Sequence, residues 1–233
     1  MFYGGSIRGV EMSESVTKYV TCPKCSQQTS TNILVSGNTA ENTALRKMIF
    51  DETPFRWKCK KCGFSTRYQH PFLYSDPAHG FMIYYIPKVE RQKVSDAKLE
   101  AEYPDMADVR KRIVPEINAM KEKIVLFESG INDMAVELTK LAVSEIVSKE
   151  TGHNVYAGYF TDMNTEKNSI SFQFFVGGER RSYIQSTRLE VYRRSLDIVK
   201  KNFSNVEKQA GFLNIGREWA KDSLDKYKTK ATK

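Results

Sequence analysis

Thr21-Cys22-Pro23-Lys24-Cys25 and Lys58-Cys59-Lys60-Lys61-Cys62-Gly63 hold every cysteine of the chain. Two residues between the members of a pair is the spacing at which a tight backbone turn aims both sulfurs at one metal, and two such turns complete a tetrahedral thiolate set. The sequence thus predicts one structural zinc ion held by Cys22, Cys25, Cys59 and Cys62. Four thiolates leave no coordination position for water or substrate, so the ion is expected to hold a fold together and to do no chemistry. Thiolates favour zinc or iron over magnesium or calcium.

Three other uses of these cysteines fit less well. Disulfide frameworks belong to small secreted chains, whereas 233 residues can bury a core and no export signal is evident. A redox Cys-x-x-Cys occurs as a single motif where a strand enters a helix, and here the motif occurs twice without that frame. A zinc deaminase needs His-x-Glu upstream of Pro-Cys-x-x-Cys. That sequence is absent, and Pro23 lies between the cysteines.

Working outward, Lys18 to Val20 and Phe55 to Lys58 are expected to be strands running into the two cysteine turns, the layout of a zinc ribbon. Between them a short helix is predicted over Glu41 to Ile49. Phe72 to Ile86 reads as a hairpin turned at Asp76-Pro77 and Gly80, extending the ribbon sheet. Both faces of its second strand are apolar, which requires cover on two sides, expected from the helices between Pro115 and Lys149. The first of these opens at Pro115, carries Ile117, Met120, Ile124, Phe127 and Ile131 at helical spacing, and ends at Gly130. Asn132 caps the next, with Ala135, Leu138, Ala142 and Ile146 inward and Gly152 as terminator. Residues 155–186 then change period to that of an antiparallel meander, with Ile170, Phe172, Phe174 and Val176 on one face and Gly177-Gly178 as a turn. Thr187 to Glu190 reads as a capping box opening a helix with Leu189, Tyr192, Leu196, Val199 and Phe203 inward. Trp219, Leu224 and Tyr227 suggest a last helix, fraying after Lys228.

Cys-Pro-x-Cys, then Cys-x-x-Cys-Gly, then Leu73-Tyr74-x-Asp76 and Phe81-Met82-Ile83 together resemble the CpXC family, named for its cysteine motif. Arg112, Glu122-Lys123-Ile124 and the stretch from Ile131-Asn132-Asp133 to Glu137-Leu138 are similar to that family's downstream helical part. The resemblance covers roughly residues 16 to 145. Two departures are Lys60, where the family often has proline, and Asn132, where aspartate is common; neither is a metal ligand. What the resemblance implies is a bacterial or archaeal, cytoplasmic, zinc-binding domain of uncharacterised activity.

Composition bounds the remaining function classes. With 40% hydrophobic and 12% aromatic residues the chain reads as folded and soluble, and it contains no apolar run long enough to span a membrane. The net charge of +8 is spread out: residues 1–90 and 179–201 contribute +4 each. Arg180, Arg181, Arg188, Arg193 and Arg194 form the densest basic cluster and are the candidate anion-binding residues, for nucleic acid or an acidic protein. Aromatic residues for base stacking are sparse there. Arg56, Lys58, Lys60, Lys61 and Arg67 surround the second cysteine pair; phosphate binding is one reading of them, and the preferred one is that they offset the formal −2 charge of a zinc tetrathiolate. His70 and His79 flank the hairpin and are expected to be partly exposed polar residues beside turns. No phosphate loop, dinucleotide fingerprint, His-Glu-x-x-His or nucleophile elbow occurs.

The expected architecture is α+β: an N-terminal zinc ribbon with an extended antiparallel sheet, a helical middle, and a C-terminal antiparallel meander with a packed helix. As modules these are a lead-in over 1–15, in which Met12 is an alternative start, a ribbon over 16–90, a linker over 91–108 and an α+β domain over 109–233 packed on the ribbon. The expected function is a non-enzymatic binding or regulatory module that contacts a protein partner or a second copy of itself. Nucleic acid is the alternative partner.

Overall fold

The structure, a computed structural model, describes residues 13–88, 109–177, 182–207 and 211–231. Residues 1–12 of the expected lead-in and the whole expected linker lie outside them. The described residues fall into two compact units, one running up to Lys121 and joined by Phe212, the other taking the chain from Glu122 onward.

In the first unit, strands β1 (Ser15–Thr21) and β2 (Gln28–Leu34) pair antiparallel around the first cysteine turn. Strands β4 (Arg56–Lys58) and β5 (Ser65–Arg67) do the same around the second. Between the two hairpins lie β3 (Ser36–Asn38) and the helix α1 (Leu45–Phe50). This helix is shorter than expected, and Leu45 and Ile49 are its buried residues. Leu45 packs so closely on Gly37 that a Cβ there would come within 2.7 Å of it.

The aromatic hairpin, β6 (Phe72–Asp76) and β7 (Phe81–Tyr85), forms as its composition predicts. It does not extend the ribbon sheet. It forms the centre of a separate four-stranded sheet in the order β3-β6-β7-β8, where β8 is Arg110–Val114. Both flanking strands pair parallel to their neighbours. Parallel partners come from distant chain segments, so the hairpin's local pattern does not announce them. With pairing on both edges, Phe72, Leu73, Tyr74, Phe81, Met82, Ile83, Tyr85 and Ile86 are all buried. Tyr84 stands edge-on to Phe212, with ring centroids 6.0 Å apart, in a cluster with Ile86 and Ile113.

Helix α2 (Ile117–Glu128) buries Ile117, Met120, Ile124 and Phe127 as its spacing predicts, and the positive φ of Gly130 ends it. Helix α3 (Asp133–Thr151) starts where expected, the Asn132 side chain accepting from the Ala135 N–H at 2.9 Å. Its inward face is not the expected one. Ala142 and Ile146 are exposed, while Glu137, Thr139, Lys140 and Ser144 are buried beside Leu138 and Leu141. The first half of α3 is enclosed on all sides, which the apolar pattern alone does not show.

The second unit continues as the antiparallel meander β9 (Val155–Asn164), β10 (Ser169–Val176) and β11 (Ser182–Arg188), with β10 central. Helix α4 (Leu189–Asn202) follows without a loop. The expected capping box does not form. Arg188 occupies the cap position without a side-chain bond, and Glu190 accepts instead from Asn168 Nδ2 at 2.9 Å. A single turn, α5 (Ser204–Glu207), precedes the final helix α6 (Arg217–Ala231). Met134, Ala135, Leu138 and Leu141 of α3 share a core with Val199, Ile215 and Ala220, and Tyr192, Leu196, Phe203, Trp219 and Leu224 close its sides.

Candidate metal centre

Each cysteine turn is built on the same plan. In the first, the Ser26 N–H donates to the Cys22 carbonyl and the Cys22 N–H to the Gln27 carbonyl, both at 2.9 Å. In the second, the Gly63 N–H donates to the Cys59 carbonyl at 3.0 Å and the Cys59 N–H to the Phe64 carbonyl at 2.8 Å. The residue after the second cysteine is left-handed in both, with φ of 56° at Ser26 and 71° at Gly63. Such a turn presents two sulfurs on one side, and each turn is flanked by an antiparallel hairpin.

The two turns face each other. All four sulfurs lie within 4.8 Å of one another, with Cys22 to Cys62 at 3.6 Å and Cys25 to Cys59 at 3.8 Å. A tetrahedral ion with metal–sulfur bonds of about 2.3 Å would hold its sulfurs about 3.8 Å apart. The cluster therefore has the dimensions of a four-thiolate metal site, and its donor set suits a soft divalent ion. Val20 and Trp57 are buried against it, with Phe64 and Tyr68 partly so. Within the cluster Cys22 and Cys59 are buried and Cys25 and Cys62 half-buried.

Cys59 and Cys25 are shifted in opposite directions. The backbone N–H groups of Cys62 and Lys61 point at the Cys59 sulfur and, against the effect of burial, lower its pKa to about 6. At Cys25 the backbone bond from Gln27 lowers the pKa, but burial and the three neighbouring thiols together push it up to about 11. Sulfurs that cannot all ionise beside one another without a cation behave in this way.

The basic residues near the second turn divide between two uses. Arg67 is bound to Glu52, which Lys121 also holds at 2.8 Å, so it belongs to an ion-pair group of the first unit. Arg56, Lys58, Lys60 and Lys61 are exposed, with Lys61 Nζ 3.4 Å from Gln27 Oε1. His70 corrects the expectation of an exposed turn residue. It is buried, with Nδ1 3.0 Å from the Pro71 carbonyl and Nε2 3.2 Å from that of Pro54, between the rings of Phe55 and Tyr68. His79 remains 44% exposed and binds the buried Asp76 through Nδ1 at 2.9 Å, while Asp76 also accepts the His79 N–H. That bond closes the turn, the role expected of Asp76.

Of the candidate anion-binding residues, Arg188, Arg193 and Arg194 are exposed on the second unit, and Arg193 pairs with Glu190 at 3.2 Å. Arg180 and Arg181 lie outside the described residues.

The second unit encloses a charged chain that sequence reasoning did not assemble. Asp133 binds Lys123 at 2.9 Å, Lys123 reaches Glu137 at 3.3 Å, Glu137 reaches Lys140 at 3.0 Å, and Lys140 binds both oxygens of Glu122. The Phe160 N–H donates to Glu122 at 2.5 Å. Every member is buried. Burial raises the Glu122 carboxyl above its usual value against the pull of Lys140. Burial would lower the Lys140 ammonium, but the carboxylates of Glu122 and Glu137 more than offset it and raise it. The available signal was spacing: Asp133, Glu137 and Lys140 share one helical face inside the apolar stripe of α3.

Two cysteine-turn hairpins closing one cluster of four sulfurs form a ribbon-type arrangement that could hold a metal ion. The chain belongs to the CpXC family: the family model described as "CpXC protein" matches residues 20–140, just over half of it. That span holds all four cysteines and every side chain of the Asp133-to-Glu122 chain. No curated protein and no solved structure matches the sequence. Among the described residues no helix is long and apolar enough to cross a membrane.

Proposed function

We propose that this protein is a non-enzymatic, zinc-stabilised binding or regulatory module that recognises another protein. The observation that carries the reading is the closed thiolate cluster, whose sulfur separations of 3.6 and 3.8 Å match a tetrahedral zinc site with no open position. A metal so enclosed supplies folding free energy and leaves recognition to the surface. Zinc is preferred to iron because it fills such structural sites without redox chemistry. Thiolates persist where thiols stay reduced, which supports a cytoplasmic location.

The test is Cys59→Ser followed by limited proteolysis. Zinc-dependent folding predicts new cleavage between residues 15 and 67 while the second unit stays resistant. An unchanged digestion pattern would contradict the structural role of the metal.

A further inference from the structure

The three-stranded sheet of the second unit has one buried face. Alternation turns Ile170, Phe172, Phe174 and Val176 of β10 inward, and all four are fully enclosed. The other face carries Phe175, with the rings of Tyr156 and Tyr159 against it at centroid distances of 6.3 and 6.1 Å. Gln173 pairs with Ile184 on one side and Tyr159 on the other, so Ile184 lies in the same row across the sheet. Tyr156 is 64% exposed and Ile184 71%. Single exposed apolar residues are ordinary, but several of them on one regular face, here an aromatic group on one side of Gln173 and Ile184 on the other, mark a contact surface.

Charge decides what that surface fits. The three strands contain two charged residues, Asp162 and Arg188. A face that tracks a phosphate backbone needs a run of cations, and one acid with one base does not make it. The two charges lie instead on opposite edges. Asp162 pairs in register with Ser171 from β9, and Arg188 pairs with Ser169 from β11, near the same end of the sheet. Turning a second copy by 180° about an axis parallel to the strands lays each β9 over the other's β11 and keeps the strands aligned, as packed sheets require. Ile184 of each copy then meets Tyr159 of the other, Phe175 meets Phe175, and each Arg188 comes within side-chain reach of the opposite Asp162.

We propose that the outer face of the β9-β10-β11 sheet is a self-association surface through which two copies of this chain pack sheet to sheet. The inference gives the protein-recognition reading one occupant and rests on it to that extent, while the metal site is tested separately. From strand spacing and rise the face measures about 14 Å by about 26 Å. That is small for a specific interface, so association belongs to the micromolar range.

Sedimentation velocity on the full chain, from about 1 μM to about 200 μM, reads this directly. The expected result is a monomer–dimer equilibrium within that range. Ile184→Asp, at an exposed position, keeps the circular dichroism spectrum and raises the dissociation constant about tenfold or more, equivalent to about 1.4 kcal/mol. Arg188→Asp and Asp162→Arg each weaken the dimer, and the two together restore it. A monomer at every concentration, or a dimer indifferent to Ile184→Asp, overturns the proposal. So does a monomer that binds oligothymidylate and loses that binding on Tyr159→Ala or Phe175→Ala, which would assign the face to single-stranded nucleic acid.

Discussion

Lys140 Nζ lies 2.8 and 2.9 Å from the two carboxylate oxygens of Glu122, so a lysine on α3 grips both oxygens of a glutamate on α2. Both are enclosed, and among the described residues their charges are met by each other, by Glu137, by the Phe160 N–H and, for Glu122, by the nearby Lys123. Removing one partner of a buried pair leaves the other charge uncompensated, at a cost of about 3–5 kcal/mol. Lys140→Met should lower stability by that amount in urea unfolding followed by circular dichroism. A loss below about 1 kcal/mol would mean the pair is no better than a surface one.

The same lysine sets a pH signature. Its pKa is raised on folding, so its contribution is complete below the unfolded value of about 10.4 and is lost as pH rises through the folded value. The stability difference between wild type and Lys140→Met should stay level from neutral pH to about pH 9 and shrink above about pH 10.5. A difference that grows as pH rises above about 10.5 would contradict this assignment.

Gly158 leaves no room for a side chain. A Cβ there would stand 2.7 Å from two ring atoms of Phe174, its register partner on the inward face. Gly158→Ala should destabilise the second unit by about 1–3 kcal/mol through overpacking. Phe174→Leu in the same chain should make the alanine less costly, and a double-mutant cycle showing no coupling would disprove the contact.

The left-handed residue after each second cysteine allows a subtler test. Gly63 adopts it freely, whereas Ser26 holds a φ of 56° at a cost of about 1 kcal/mol. Ser26→Gly should raise the thermal midpoint of the metal-loaded protein slightly. A fall would show that the Ser26 side chain contributes more than its backbone costs.

How much of this was legible depended on whether the deciding contacts are local. The cysteine turns were legible because two-residue spacing is a local geometric demand, and β10 was legible because Ile170 to Val176 alternate without a break. Asn132 and Gly152 marked the ends of α3 for the same reason. Strand β8 was not legible: Arg110-Lys111-Arg112 reads as polar surface, yet Lys111 and Arg112 are buried beside Ile113 and Val114. Its pairing partner is β7, and a parallel neighbour leaves no mark on the segment itself. The chain from Asp133 to Glu122 was hidden likewise, since charges on a helix read as solvated until their partners on another helix are known.

The central claim is that Cys22, Cys25, Cys59 and Cys62 hold one zinc ion, and elemental analysis combined with thiol titration of the native protein tests it most directly. The expected result is about one zinc per chain, with no thiol reacting until a chelator removes the metal and all four reacting afterwards. Four reactive thiols and no bound metal in the native protein would contradict it.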